Sequence, residues 1–339
     1  MTARPHASLL QVEDLVVGFP LGRGQARVLD GVSFTLDAGS TLGVVGESGS
    51  GKSTLAAALA RLPQAGLAIT GGRIVFDGQE LLRIGQAQMR ALRGRRIATI
   101  LQDPLHSLNP LLRIGTQIAE TPMVHERLPR ARAWERAREL LAAVRIANPE
   151  ARLREYPHQL SGGMRQRVAG AIALACAPGL LIADEPTTAL DPTVQVQYLQ
   201  LLKDLQRTHG FALMLITHDL GVVARVCDRV AVMYAGRIVE LGATAEVLQA
   251  PAHPYTQALL ASLPTAAGVA GSLPAIPGQP PDPAHAPGGC AFHPRCAKAL
   301  PRCRSERPPE VGVGPGRLSA CWLNADAAWP SAADKEARA

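Results

Sequence analysis

No stretch of this 339-residue chain is long and apolar enough to read as a bilayer helix. The longest run without Asp, Glu, Lys or Arg lies between Glu246 and Asp282, and it is broken by Pro251, Pro254, Pro264, Pro274, Pro277, Pro280 and Pro281. A second apolar run, residues 168–183, is too short and is cut by Pro178-Gly179. The first fifteen residues lack the apolar core of a secretory leader, so a cytosolic chain is expected. Charge of one sign is not in large excess: 35 Lys and Arg against 28 Asp and Glu leave +7, which suits an anionic ligand or a membrane surface and does not by itself indicate nucleic acid. Aromatic residues are few, at 4%, but the 47% hydrophobic fraction is that of an ordinary globular protein, so bulk disorder is excluded. The length suggests about two domains.

Also missing is any C-x2-C pair of the zinc-ribbon kind. Of the six cysteines, Cys176 and Cys227 sit alone in apolar surroundings and read as small core residues. The others, Cys290, Cys296, Cys303 and Cys321, crowd into the last fifty residues with spacing C-x5-C-x6-C-x17-C, which matches no standard ferredoxin run. Disulfides are not expected in a cytosolic chain, so a metal is the reading to beat. The spacing leaves zinc, an iron–sulfur cluster and plain reduced thiols open. Four thiolates in a Pro-rich segment with no core of its own suggest a staple. Arg295, Lys298, Arg302, Arg304 and Arg307 would offset their charge, and His293 reads as loop packing.

What is present reads as an α/β protein. Residues 9–18 and 27–36 alternate apolar and polar side chains as half-buried strands do. Residues 41–45, 73–76, 97–101, 180–183 and 211–216 predict further strands, and 192–207 a helix. Strands alternating with helices imply a sheet that is parallel at its centre. Between residues 114 and 155 the spacing turns helical and Arg-rich, as in an inserted helical subdomain. Arg127, Arg130, Arg132, Arg136 and Arg138 read as a solvated helix face. A short helix is expected near 254–262, followed by a Pro/Gly/Ala linker. No long-period repeat is present.

The strongest motif is Gly46-Glu47-Ser48-Gly49-Ser50-Gly51-Lys52-Ser53-Thr54, which fits G-x-x-x-x-G-K-[ST] between a predicted strand and helix. The glycines let backbone N–H groups close on phosphate, and the helix start adds partial positive charge. Lys52 would reach the β- and γ-phosphates, and Ser53 would ligate Mg²⁺. The apolar run Leu181-Ile182-Ala183 ends in Asp184 and Glu185, which places two carboxylates at the edge where open α/β sheets bind ligands. Asp184 is the candidate Mg²⁺ ligand and Glu185 the candidate general base. Ser161-Gly162-Gly163 reads as a second phosphate-binding helix start.

These motifs resemble the ABC ATPases over residues 9–262. Leu160-Ser161-Gly162-Gly163-Met164-Arg165-Gln166 resembles the signature motif, Gln102 the Q-loop, Ala189-Leu190-Asp191 the D-loop and His218 the switch histidine, all in the family's order. The resemblance implies an ABC-type P-loop core, of mixed sheet with parallel centre, antiparallel β edge and inserted helical subdomain. It implies ATP held by Phe19 (stacking adenine, where the family more often has Tyr), Ser48, Gly49, Ser50, Gly51, Lys52, Ser53, Thr54, Gln102 and Asp184. Mg²⁺ would be held by Ser53, Gln102 and Asp184, and catalysis would involve Glu185, His218, Gln102 and Lys52. Ser161, Gly162, Gly163 and Gln166 would act on ATP bound to an opposing subunit, with Asp191 in the D-loop. One set of motifs implies a second ATP-binding subunit, either another copy or a paralogue, with the paralogue favoured.

Residues 94–110, 160–178, 180–195 and HPYTQALLASLP (253–264) further resemble ATP-binding subunits of dipeptide/oligopeptide importers. That likeness implies two membrane permease subunits, an extracytoplasmic solute-binding protein, a peripheral position on the cytoplasmic membrane face and no nucleic acid. It also implies a 4Fe-4S cluster on Cys290, Cys296, Cys303 and Cys321. Nickel, glutathione and other small solutes are the alternative cargoes, and a soluble ABC ATPase acting on nucleic acid or ribosomes is the alternative class. The expected layout is 8–262 for the nucleotide-binding domain (helical subdomain about 114–175), 263–284 linker, 285–325 Cys-rich extension and 326–339 tail.

Overall fold

The structure, a computed structural model, describes residues 8–21, 24–62, 64–102, 107–188, 190–263 and 275–325. The expected tail 326–339, residues 264–274 of the expected linker and Ala189 of the D-loop lie outside the described residues.

Two sheets form the frame. The smaller is antiparallel, with β1 (Leu10–Leu21), β2 (Gly24–Leu36), β4 (Ala68–Phe76) and β5 (Gln79–Glu80) in the order β2-β1-β4-β5. The larger contains β3 (Thr41–Val45), β6 (Ile97–Ile100), β7 (Leu180–Asp184), β8 (Ala212–Thr217), β9 (Arg229–Tyr234), β10 (Arg237–Ala243), β11 (Val311–Gly314) and β12 (Arg317–Ser319). Its order is β11-β12-β10-β9-β3-β8-β7-β6. The central pairs β3·β8, β3·β9, β7·β8 and β6·β7 are parallel, as the alternation of strands and helices requires.

Strands β3, β7 and β8 are buried on both faces, so they read as continuous apolar runs rather than alternating ones. Period two still sorts their side chains. Leu213 and Leu215 face one core, while Met214 and Ile216 face the other, shared with β1 and β2. Between β6 and β7 run the helices Ile114–His125, Arg130–Ala143 and Gly162–Ala173. Gly115 permits the first two to close: a Cβ there would lie 2.6 Å from the Trp134 ring.

Three features differ from the sequence reading. The first hairpin is longer than 9–18 and 27–36, because cross-strand pairing carries its polar end to Leu21↔Gly24. The β9–β10 hairpin was not anticipated, since β9 is apolar on both faces and shows no alternation. The C-terminal extension is not a separate unit: β12 pairs with β10 through Glu240↔Ser319 and Leu241↔Leu318, so the extension lengthens the main sheet.

Candidate nucleotide site

Strand β3 delivers the phosphate loop. Gly46 passes so close to β9 that a Cβ would meet the Met233 carbonyl at 2.2 Å. Gly49 and Gly51 take left-handed φ values of 80° and 98°, which suit glycine. Gly51 caps the helix Lys52–Leu59 without a side-chain hydrogen bond, so the N–H groups at the helix start are not taken by a capping side chain. Lys52 is buried, and its ammonium donates to the Gly46 carbonyl at 2.8 Å and the Glu47 carbonyl at 2.9 Å. Burial lowers its pKa, opposed by the Glu185, Asp184 and Glu47 charges. Ser50 is buried, while Ser48, Gly49 and Ser53 are exposed and Thr54 is half-buried.

At the end of β7, Asp184 is buried, and its pKa is raised chiefly by that burial while a hydrogen bond from Ser53 pulls it down. One carboxylate oxygen, Oδ1, has no partner. A buried orphan oxygen beside a serine hydroxyl fits a divalent cation. Glu185 follows with φ 45°, a strained conformation for a residue with a Cβ. Its N–H donates to the Ile216 carbonyl at 2.9 Å. Its Oε2 accepts from Thr188 Oγ1 at 2.9 Å and Gln102 Nε2 at 3.3 Å, and lies 3.4 Å from His218 Nδ1. Three of the four expected catalytic residues thus meet on one carboxylate oxygen. Thr188 was not anticipated. Gln102 places its amide on the carboxylate of Glu185, the expected base, at 3.3 Å.

The signature segment starts a helix, as read: Ser161 is the N-cap and accepts from the Met164 N–H at 3.3 Å. Ser161 and Gly162 are exposed and Gly163 is half-buried. Gln166 is 2% exposed, with Nε2 lacking a partner, so it lies beneath this surface rather than on it. Asp191 caps the next helix, its Oδ1 accepting from Thr193 and Val194 N–H groups at 3.1 and 3.0 Å. Phe19 lies half-buried on β1, opposite Ala26.

The four clustered cysteines do not assemble as expected. Among the described residues no group of three or more His, Cys, Asp or Glu is placed to hold a metal ion. Cys290, Cys296, Cys303 and Cys321 are free thiols near enough to feel one another's charge. Burial pushes Cys321 up to about 11, reinforced by the other three. Ordinary packing holds their loops, as when the Cys290 N–H donates to the Cys303 carbonyl at 2.9 Å.

A phosphate loop, a buried strand ending in Asp184-Glu185 and a second exposed helix start define a P-loop ATPase of the ATP-binding-cassette class. Residues 29–188 match the family described as ABC transporter, and residues 239–303 match the oligopeptide/dipeptide transporter C-terminal region. The chain is 50% identical over 325 residues to the probable peptide ABC transporter ATP-binding protein y4tR of Sinorhizobium fredii, covering 95% of this chain and 97% of the relative. It is 46% identical to the oligopeptide transport ATP-binding protein OppD of Salmonella typhimurium, covering 94% and 95%. A solved dimeric structure of MJ0796, a bacterial ABC transporter cassette, superposes with a TM-score of 0.62 at 27% identity, covering 69% of this chain and 98% of that one. The chain belongs to the family of ATP-binding proteins of peptide ABC transporters.

Proposed function

We propose that this chain is the ATP-hydrolysing subunit of an importer of di- or oligopeptides. The observation that carries this reading is the pairing, in one chain, of an ATP site with the C-terminal region matched over residues 239–303. Lys52 and the loop N–H groups bind the β- and γ-phosphates. Ser53, Asp184 and Gln102 would hold Mg²⁺, which when bound would neutralise phosphate charge. Glu185 accepts a proton from the attacking water, which Gln102 and His218, both within 3.4 Å of its Oε2, orient. Ser161, Gly162 and Gly163 cover ATP on a second ATP-binding subunit, since the chain carries one motif set; a paralogue is favoured over a second copy. Gln166 supports that surface from below.

Among the described residues no helix is long and apolar enough to cross a membrane. On its likeness to ATP-binding proteins of peptide transporters, the chain is proposed to work at the cytoplasmic membrane face through two permease subunits, served by an extracytoplasmic binding protein. Residues 8–262 are proposed as the nucleotide-binding domain, with 114–175 as its helical part. Uptake of labelled peptides of graded length, in a strain lacking this chain, tests the cargo. Loss of peptide uptake on deletion and its return on complementation are expected; unchanged peptide uptake with lost nickel or glutathione uptake would move the cargo to those solutes.

A 4Fe-4S cluster on Cys290, Cys296, Cys303 and Cys321 is a separate proposal. Its support is the gathering of the four cysteines into one short segment, whose loops are tied by the Cys290 N–H donating to the Cys303 carbonyl at 2.9 Å. Protein purified without oxygen should contain iron and lose its brown colour in Cys303→Ser. Iron-free, colourless wild type would end that proposal.

A further inference from the structure

The phosphate loop is gripped from the far end of the chain. Arg295, on the turn just before Cys296, donates from Nη1 to Glu47 Oε2 at 2.6 Å and from Nη2 to Glu47 Oε1 at 2.9 Å. This fork-to-fork pair is the geometry that fixes orientation as well as charge. The arginine is itself held: Nε donates to the Pro277 carbonyl at 2.7 Å, Nη1 also reaches Tyr234 Oη at 3.3 Å, and the guanidinium lies 5.8 Å from the Tyr234 ring centre. Its side chain is 5% exposed. A second grip comes from Tyr255, whose hydroxyl accepts the Glu47 N–H at 2.9 Å. Tyr234, Tyr255 and Phe292 pack with centroids 4.6 to 5.3 Å apart and form the wall behind both grips.

Glu47 is thus fixed at its N–H and at both carboxylate oxygens, and its carbonyl receives the Lys52 ammonium. Turning the Glu47 peptide would displace the group that meets the γ-phosphate. Neutralising Glu47 also matters, because its carboxylate belongs to the loop that must accept a triphosphate and would repel it if bare.

We propose that Arg295 is a positioning residue for the ATPase site, holding the phosphate loop in its receiving shape through Glu47 and cancelling the Glu47 charge. This rests on the nucleotide-site reading above. The position concerned is loop geometry under the β- and γ-phosphates, so the loss on mutation must depend on those phosphates.

The test measures binding of ATP, ADP and AMP to the full chain, and steady-state ATP hydrolysis by the assembled complex. Arg295→Gln should weaken ATP and ADP about tenfold while AMP changes by less than about twofold, with KM rising and kcat little altered. Arg295→Lys, which keeps the charge and loses the fork, should fall between. Adding Glu47→Gln to Arg295→Gln should recover part of the loss, because the bare carboxylate is gone. A folded Arg295→Gln with unchanged ATP affinity, or with AMP weakened as much as ATP, overturns the proposal. If Arg295→Gln does not fold, Glu47→Gln decides, since it leaves the Pro277 and Tyr234 contacts of Arg295 in place: a several-fold loss of discrimination between ATP and AMP supports the proposal and none overturns it. Wild type that binds no ATP would instead overturn the nucleotide-site reading.

Discussion

His253 is 2% exposed, and burial pushes its pKa down to about 4, partly offset by a hydrogen bond with the Ala320 backbone. Its neutral ring has a structural use: Nδ1 accepts the Tyr255 N–H at 3.0 Å and so caps the helix Pro254–Ala261, which carries Tyr255 beneath the phosphate loop. In the unfolded chain the same imidazole takes a proton near pH 6.5, whereas the folded one does so only near pH 4. The unfolded state therefore binds more protons across that window. Stability from this residue is complete above about pH 6.5 and is lost as the pH falls toward 4, by about 3 kcal/mol in all. Urea unfolding of wild type and His253→Asn at pH 7.5 and pH 5 checks this: the variant should be less stable at neutral pH and lose less on acidification. The same burial pushes Cys227 up to about 12 and Cys176 up to about 11, which agrees with reading both as inert core thiols.

At the scale of elements, the seam between β10 and β12 depends on one buried ion pair. Glu240 is 0% exposed. Its Oε1 accepts from Arg317 Nη2 at 2.7 Å and from the Ala252 N–H at 2.8 Å, and its Oε2 from the His253 N–H at 3.0 Å. Removing one partner strands a charge in the core, so Arg317→Ala should cost about 3–5 kcal/mol in urea unfolding. Converting both partners together, Glu240→Gln with Arg317→Met, should cost less than Arg317→Ala alone. This seam also marks where the sequence stopped being readable. Strands β3, β7 and β8 announce themselves by unbroken apolar runs, and the phosphate loop by glycines whose conformations only that motif requires. By contrast, β11 and β12 are built from Val-Gly-Val-Gly and Arg-Leu-Ser, too short and too poor in side chains to carry a period. Among the described residues β11 pairs only with β12, and β12's other partner, β10, lies nearly eighty residues earlier in the chain and is set by tertiary pairing. The role of Arg295 was hidden for the same reason. Beside a cysteine it reads as a counter-charge to thiolates, while its true partner, Glu47, lies at the other end of the chain.

For the whole molecule, the exposed Ser161 and Gly162 and the half-buried Glu185 bear on the proposed pairing with a second ATP-binding subunit. Glu185→Gln keeps the hydrogen-bonding shape that Gln102, Thr188 and His218 meet and removes the basic oxygen. ATP should bind as before, turnover should fall by about 10²–10⁴-fold, and the two-subunit closed form should persist with ATP on a sizing column. Normal turnover in that variant would remove Glu185 as the base. The motif set alone made this part of the site legible, because each motif lies within a few consecutive residues. That Gln166 lies below the exposed Ser161 and Gly162 rather than beside them required the fold.

The strand that delivers the phosphate loop has an odd place in time. β3 is among the first strands made, yet both its neighbours in the sheet, β8 and β9, come from residues 212–234. A ribosome adding about 5–20 residues each second therefore holds an unpaired, largely apolar ribbon outside its tunnel for many seconds before either flank exists. Nascent chains of this protein are expected to need shielding by a chaperone over that interval. Slowing translation between codons 46 and 212 should lower the soluble yield more than slowing it after codon 234.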